Sequence, residues 1–191
     1  MYRKNQTGVT VFELMISVAV LAGMLATAVP NYSKFIEKRR TSGAVEMLHS
    51  YIESAKMESI KRNRPVTVRF RNTYDGAKWC FGAELGTEAC DCAKTDPGHA
   101  DYCDISGVGT KLWFSEFEGV DIANIDLFDD GSKTFTFDPV RGLLTNTNDS
   151  GSFDLVSAGG DYMVTVSING AGRVRECTNP DHNLSGYDTC S

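Results

Sequence analysis

The chain has 191 residues, of which 41% are hydrophobic and 23% are charged, and its formal net charge is −6. This length is enough for one domain with a sizeable core. No internal repeat or long linker indicates a second domain. The negative balance argues against a strong nucleic-acid binder, since such proteins normally carry a basic footprint. We therefore expect one acidic domain, and the most distinctive part of the sequence is its N-terminus.

An apolar segment lies close to the N-terminus. Residues 9–29 are apolar apart from one charge, and they follow a polar leader that carries Arg3 and Lys4 and ends in Gly8. As a helix this segment would be roughly 32 Å long, which matches a hydrocarbon core of about 30 Å. The positive-inside rule places the cationic leader in the cytoplasm and the rest of the chain on the far side. The segment is therefore predicted to cross a membrane.

The only charge within this segment is Glu13. A carboxylate in a spanning helix costs a few kcal/mol, so it is a functional candidate, although a position near the cytoplasmic end would let it reach the headgroups. Secretory signals place a small-residue cleavage site after the apolar segment. Here the small residue at the junction, Gly8, lies before it. Cleavage at Gly8 would keep the helix in the mature protein, as suits a subunit held first by membrane and later by other subunits.

Gly8, Glu13 and Pro30 stand in the register of a known signal. Together they resemble the class III signal of type IV prepilins and of the pseudopilins of type II secretion. The resemblance implies that a prepilin peptidase cleaves after Gly8 and methylates Val9, where the family usually has phenylalanine. It also implies that Glu13 pairs with the N-terminal amine of a neighbouring subunit, and that Pro30 kinks the helix. A mispaired register would leave both buried charges uncompensated, so Glu13 would set the register of assembly.

The helical pattern continues after Pro30. Apolar residues recur mostly at spacings of three and four: Ala44, Val45, Leu48, Ile52, Ala55 and Ile60. This stripe predicts one long helix that passes Gly43 and ends near residues 61–63, with Pro65 beyond it. The basic cluster Lys38, Arg39 and Arg40 allows a nucleic-acid or lipid-headgroup interpretation. We favour a solvated helix face, or a position just outside the membrane.

From Pro65 onward the apolar period changes to two. This pattern predicts strands at residues 65–71, 78–84, 133–138, 162–169 and 173–177. The fold class is therefore α+β, with an antiparallel sheet packed on the C-terminal half of the long helix. The expected organisation has four segments: a leader at 1–8, a transmembrane and assembly helix at 9–30, its amphipathic continuation at 31–64, and a β-rich domain at 65–191.

Two further stretches narrow the family. The run SAKMESIKRNRPVTVRF at the helix-to-strand junction and the run GRVREC at residues 172–177 resemble the GspH/FimT group of minor pilins and pseudopilins. This resemblance implies a type IV pilin fold, an inner-membrane anchor, and other major and minor pilins as partners. Two functions stay open: a minor pilin in assembly or initiation of a type IV pilus, and a minor pseudopilin of a type II secretion system. A third possibility is an anchored binding domain that never assembles and is never processed.

All six cysteines follow the membrane segment, on the side expected to be periplasmic and oxidising, and their even number favours disulfides. The resemblance to the disulfide-bound loop of pilins implies the pair Cys177 and Cys190. That leaves two further bridges of undetermined pairing among Cys80, Cys90, Cys92 and Cys103. A cysteine-rich domain suits an exposed pilus fibre better than a secretion component. A zinc site at Cys90 and Cys92 with His99 is disfavoured, because only one C-x-C is present and thiolates oxidise outside the cytoplasm.

No other motif indicates a metal, a cofactor or an enzyme. Four aspartates near Gly131 suggest calcium but lack the EF-hand spacing and its closing glutamate, so a solvated acidic loop is expected; they are Asp121, Asp126, Asp129 and Asp130. The three histidines have no nucleophile in a recognisable motif, and GVGT at residues 107–110 is not a P-loop. We expect a substrate of the peptidase that is not itself an enzyme.

The GRVR run, residues 172–175, carries one further expectation. In FimT-type proteins a GRxR motif binds DNA in natural transformation, so the resemblance implies contacts by Arg173 and Arg175. On a strand these two residues share a face about 6.6 to 6.8 Å apart, which suits neighbouring phosphates. Residues 170–191 nevertheless carry two arginines against three carboxylates. Any binding should be weak and salt-sensitive. The alternative is an ordinary edge strand with its charges in solvent.

Overall fold

A computed structural model describes residues 8–73, 78–105, 108–127, 133–145 and 150–190. It contains one long helix, α1, at Val11–Arg62. The chain divides into two compact units, Met1–Ile36 and Glu37–Ser191. In the described part of the second unit ten strands follow the helix: β1 Val66–Thr73, β2 Lys78–Leu85, β3 Asp104–Ile105, β4 Val108–Gly109, β5 Lys111–Trp113, β6 Val120–Leu127, β7 Thr134–Phe137, β8 Gly151–Ser157, β9 Met163–Ile168 and β10 Val174–Thr178.

Helix α1 begins as an exposed apolar helix. Val9, just before it, is 71% exposed, and Phe12 in its first turn is 73% exposed. By length and composition α1 could cross a membrane, and none of its most apolar stretch is buried in the described part of the chain. Its C-terminal end also matches the prediction. The helix passes Gly43 and ends at Arg62, where Asn63 takes a positive φ of 50°.

The strands form two four-stranded antiparallel sheets and one short hairpin. The first sheet has the order β5-β2-β1-β7, the second has the order β10-β9-β8-β6, and β3 pairs with β4. The α+β class and the pilin-type arrangement of one long helix with antiparallel sheets are confirmed. The expectation of a single sheet was incomplete, because β6 and β8 carry no clean alternation. Strand β6 is interrupted by a bulge between Ala123 and Asp126. On β8 the polar Asp154 is buried on the outer face, where Asn124 and Thr165 donate hydrogen bonds to it.

The core lies between the helix and both sheets of the second unit. Buried side chains of α1 within residues 44–55 join one cluster with side chains of both sheets. Aromatic rings fill the centre, where Phe81 packs against Phe70 at 5.0 Å and against Phe153 at 5.5 Å between ring centroids. The buried Trp79 donates from Nε1 to the carbonyl oxygen of Val120 at 3.1 Å. The predicted helix stripe is therefore confirmed from Ala44 to Ala55, where both sheets pack on it, while Ile60 is 40% exposed and lies outside the core.

The basic cluster on α1 is engaged within the domain. The Lys38 ammonium donates to the Ser185 hydroxyl. Arg40 donates to the carbonyl oxygen of Glu118 at 3.2 Å and lies 3.8 Å from its carboxylate, while its side chain remains 48% exposed. These contacts tie two loops to a helix face that solvent still reaches. They agree with the favoured interpretation of a solvated helix face.

Three disulfides connect the cysteines, and no described cysteine is free. Cys177 bonds to Cys190, the pair implied by the resemblance, while Cys80 bonds to Cys92 and Cys90 to Cys103. The last four form a second small buried cluster, against which Trp113 packs. Gly82 lies opposite this cluster, and a Cβ there would collide with the sulfur of Cys103. Within the described residues no group of histidine, cysteine or acidic side chains could hold a metal ion.

The four aspartates considered for calcium do not form one loop. Asp121 and Asp126 lie on β6, so the expected solvated acidic loop is wrong for these two residues. Asp129 and Asp130 lie outside the described residues, as does Gly131. The β-bulge explains the misinterpretation, because two exposed aspartates on an irregular strand resemble a polar loop in the sequence.

The surroundings of Glu84 on β2 disfavour the ionised form of its carboxyl. Burial raises the pKa of the Glu84 carboxyl, and the nearby carboxylates of Asp104, Glu88 and Asp101 raise it further. The unfolded chain should titrate near the ordinary value of about 4.3. Because the folded-state pKa lies above the unfolded one, the ionised form destabilises the fold, and stability is lost as pH rises through the folded-state pKa.

We predict that Glu84→Gln raises the melting temperature at pH 7 and leaves it unchanged near pH 3, where Glu84 is protonated in both states. Thermal melts of the full chain in detergent at the two pH values measure this difference. Glu116→Gln, at an exposed glutamate outside this group, is the control and should change neither melt. Equal melting temperatures of Glu84→Gln and the parent chain at pH 7 would contradict the assignment.

Candidate assembly and ligand-binding sites

The predicted processing junction lies just ahead of helix α1. Gly8, Val9 and Thr10 are exposed and have no regular secondary structure, and the helix begins at Val11. Nothing approaches within 4 Å of the position that a Cβ on Gly8 would occupy. The peptide bond after Gly8 therefore lies in an unobstructed stretch within the described residues.

Glu13 lies in the first turn of α1, and Thr10 caps this turn. The Glu13 amide donates to the Thr10 hydroxyl at 3.3 Å, and the Leu14 amide donates to the Thr10 carbonyl oxygen at 3.1 Å. Threonine followed three residues later by glutamate is the spacing of a capping box. A carboxylate here also faces the positive end of the helix dipole. Thr10 is not among the residues predicted from the sequence, although the run TVFE at residues 10–13 has the capping-box spacing.

Pro30 lies within α1, but its side chain falls outside what the structure describes. The bend expected at this residue stays a prediction. The amine pairing of Glu13 and the processing at Gly8 and Val9 stay predictions too, because they concern the mature chain among other subunits.

Gly172, the first residue of the GRVR run, has a structural role. It takes a φ of +65°, and a Cβ on it would collide with the carbonyl oxygen of Gly142. Its amide donates to the carbonyl oxygen of Asn169 at 2.7 Å, and its own carbonyl accepts from Lys56 Nζ at 2.9 Å. The turn between β9 and β10 is thereby held against helix α1. Only glycine combines this conformation with this approach.

The two arginines of the run lie at the edge of the second sheet. Arg175 is on β10 and Arg173 directly precedes that strand, and both side chains are exposed. Among the described residues neither arginine forms an ion pair. Both line one open cavity of about 450 Å³, together with Asn169, Asp126 and serines at the outer surface of the sheet. The structure thus brings the two predicted residues together and adds a carboxylate to their surroundings.

Family membership follows from a direct match. The family model described as "Type II transport protein GspH" matches residues 44–172, which is more than half of the chain. The chain belongs to the GspH family. Proteins of this family are pilins and pseudopilins, which are structural proteins, and the chain is not an enzyme.

Among solved structures, the GspH-family chain is similar to the type IV minor pilin FimU of Pseudomonas aeruginosa strain PAO1. One crystal form is 17% identical, with a TM-score of 0.49, and the match covers 78% of this chain and 99% of FimU. A second crystal form is 16% identical, with a TM-score of 0.45, and the match covers 74% and 99%. No curated protein sequence matches this chain closely enough to count as a relative.

Helix α1 of this GspH-family protein is also linked to the arginine-bearing strand. His49 Nδ1 lies 2.6 Å from a carboxylate oxygen of Glu176, the residue after Arg175 on β10. No role for His49 is predicted from the sequence. Nothing in the spacing of two residues 127 positions apart could have paired them.

For the GRVR turn we predict that Gly172→Ala destabilises the fold by more than about 1 kcal/mol, because the new Cβ meets both an unfavourable φ and the Gly142 carbonyl. Gly43→Ala is the matched control. It lies in the middle of α1 with open space around it, so alanine should stabilise the helix by about 0.5–1 kcal/mol. Urea unfolding of both variants measures the two effects. Parent-like stability of Gly172→Ala would show that the turn can move away from Gly142.

Proposed function

We propose that this GspH-family protein is a minor pilin of a type IV pilus that takes part in pilus assembly or initiation. In this proposal a prepilin peptidase cleaves after Gly8 and methylates Val9. The observation that carries the proposal is an exposed apolar helix that begins with a capped turn and a single carboxylate, Glu13. The family match supports a pilin or pseudopilin subunit.

The exposed apolar surface of α1 has to be shielded from water. An apolar surface of this length is unstable in water, so a bilayer must cover it before assembly and neighbouring subunits must cover it afterwards. We infer an inner-membrane anchor with the β-rich domain in the periplasm, followed by incorporation into a surface fibre. The leader 1–8, the anchor 9–30, the amphipathic segment 31–64 and the domain 65–191 are the corresponding parts of the chain.

Glu13 supplies the register of assembly in this proposal. Moving a neighbour's N-terminal amine next to the Glu13 carboxylate compensates two charges that would otherwise lie unpaired among apolar helices. The methylated amine of Val9 would be the corresponding group of this chain. The Thr10 hydroxyl accepts from the backbone amide of Glu13, so this hydrogen bond leaves the Glu13 carboxylate available for a neighbour.

A minor pseudopilin of a type II secretion system is the alternative, and the description of the matching family favours it by name. The three disulfides favour the pilus, since a fibre outside the cell meets harsher conditions than a secretion component. A deletion strain scored for piliation, for secretion and for transformation separates the two. Loss of secretion with normal piliation would reject the pilus assignment.

A contribution to DNA uptake through Arg173 and Arg175 is a second, weaker proposal. Two exposed arginines without an ion pair among the described residues could contact neighbouring phosphates. Two such contacts give low affinity that decreases further as salt is added. Several subunits along one DNA molecule would add avidity.

For assembly we predict that Glu13→Val is inserted and processed normally but reduces incorporation into fibres at least tenfold, because the neighbour's amine loses its partner. Immunoblots of sheared fibres measure incorporation. Thr10→Ala is the matched control, since it removes the helix cap and keeps the carboxylate. If Thr10→Ala fails to the same extent, the effect of Glu13 is local capping and not subunit pairing.

Cleavage after Gly8 can be measured separately from incorporation into fibres. Gly8→Val should leave the leader attached and the amine at Val9 unformed, which intact-mass spectrometry detects directly. A mature, methylated Gly8→Val protein would contradict the assigned cleavage site.

For DNA we predict that Arg173→Gln combined with Arg175→Gln weakens a gel shift at low salt at least several-fold. The control is Arg141→Gln, an exposed arginine that does not line the cavity of Arg173 and Arg175. An unchanged shift by the double variant would remove the DNA proposal and leave the pilin proposal intact.

A further inference from the structure

The outer face of the second sheet carries a continuous polar row. Arg175 on β10 lies opposite Ser167 on β9, which lies opposite Ser152 on β8, which lies opposite Asp126 on β6. Directly opposed residues of antiparallel strands share one face of a sheet. The chain neighbours of both serines are buried, so the row points away from the core.

The row has a positive charge at one end, on Arg175, and a negative charge at the other, on Asp126. Neighbouring strands lie about 4.8 Å apart, so three intervals separate the backbones of Arg175 and Asp126 by about 14 Å. Arg173 and Asn169 widen the cationic end, and serine hydroxyls occupy the middle of the cavity. No aromatic ring is among the described residues that line it. The cavity therefore offers guanidinium donors at one end, an acceptor at the other, and hydroxyls between them.

We propose that this cavity binds an acidic saccharide. A sugar carboxylate would accept hydrogen bonds from Arg173 and Arg175, and sugar hydroxyls would donate to Asp126 and exchange hydrogen bonds with Ser152 and Ser167. Asp126 selects the ligand class. A carboxylate accepts hydrogen bonds and donates none, so it favours a ligand that brings donors. A saccharide with both carboxylates and hydroxyls satisfies both ends of the row.

DNA satisfies the arginine end of this row but not the Asp126 end. A phosphodiester backbone has no donor for Asp126 and is repelled by it, and the bases find no aromatic ring on which to stack. A long polyanion is also repelled by the net charge of −6 on this chain. A short saccharide in the cavity responds mainly to charges within about 8 Å at physiological salt. The two arginines then act on a ligand small enough to avoid the acidic remainder of the domain.

The test is calorimetric titration of the full chain in detergent with trigalacturonate. Its methyl ester, which keeps the hydroxyls and lacks the charges, is the matched ligand control. We expect trigalacturonate to bind, and both Arg175→Gln and Asp126→Asn to weaken binding at least tenfold. The methyl ester should bind at least tenfold more weakly to the parent chain. Asp121→Asn removes an exposed carboxylate on the same strand outside the cavity and should leave binding unchanged.

A parallel titration with a short DNA duplex separates the two ligands, because Asp126→Asn removes a repulsion for DNA while it removes an acceptor for the saccharide. Opposite effects of this substitution on the two ligands support the proposal. Saccharide binding that Asp126→Asn leaves unchanged overturns it. So does a parent chain that binds DNA and no trigalacturonate. Piliation of the same variants is scored separately, so failure here leaves the pilin proposal standing.

Discussion

One helix has to satisfy two surroundings, and the rest of the molecule depends on this constraint. Its first part exposes large apolar side chains such as Phe12 and Leu14, while Leu48 and Ile52 further along are completely buried. Apolar surface stays exposed only where another apolar phase will cover it. The same continuous backbone therefore belongs to an anchor at one end and to a domain core at the other.

The C-terminal part of this helix packs against both sheets. Residues 44–55 contribute small and branched side chains, and the sheets contribute the aromatic rings. This division is favourable because a helix stripe of alanine, valine and leucine lets large rings approach closely. Polar contacts then fix the loops on the same helix. Lys56 holds the GRVR turn, and Arg40 holds the loop at Glu118.

The disulfides stabilise segments of the domain that have little regular secondary structure. Cys80, Cys90, Cys92 and Cys103 build a small core of their own, in which sulfur replaces hydrocarbon. The bridge from Cys177 to Cys190 ties the C-terminal segment to β10, the strand that carries Arg175. Each bridge closes a loop of 12 or 13 residues, a length at which a cross-link contributes about 3 kcal/mol by restricting the unfolded chain. The outer face of the second sheet can therefore carry polar side chains and a cavity.

Local patterns in the sequence were sufficient for the long helix, its end near Arg62, the strands with clean alternation and the α+β class. Each depends on a period or a breaker that neighbouring residues contain. The sequence could not show β6 and β8, because a bulge in β6 and the buried polar side chain of Asp154 in β8 conceal their period. It could not show the disulfide pairing of the four clustered cysteines, the bond between His49 and Glu176, or the row from Arg175 to Asp126. These contacts join residues that only the pairing of strands and the packing of the helix bring together.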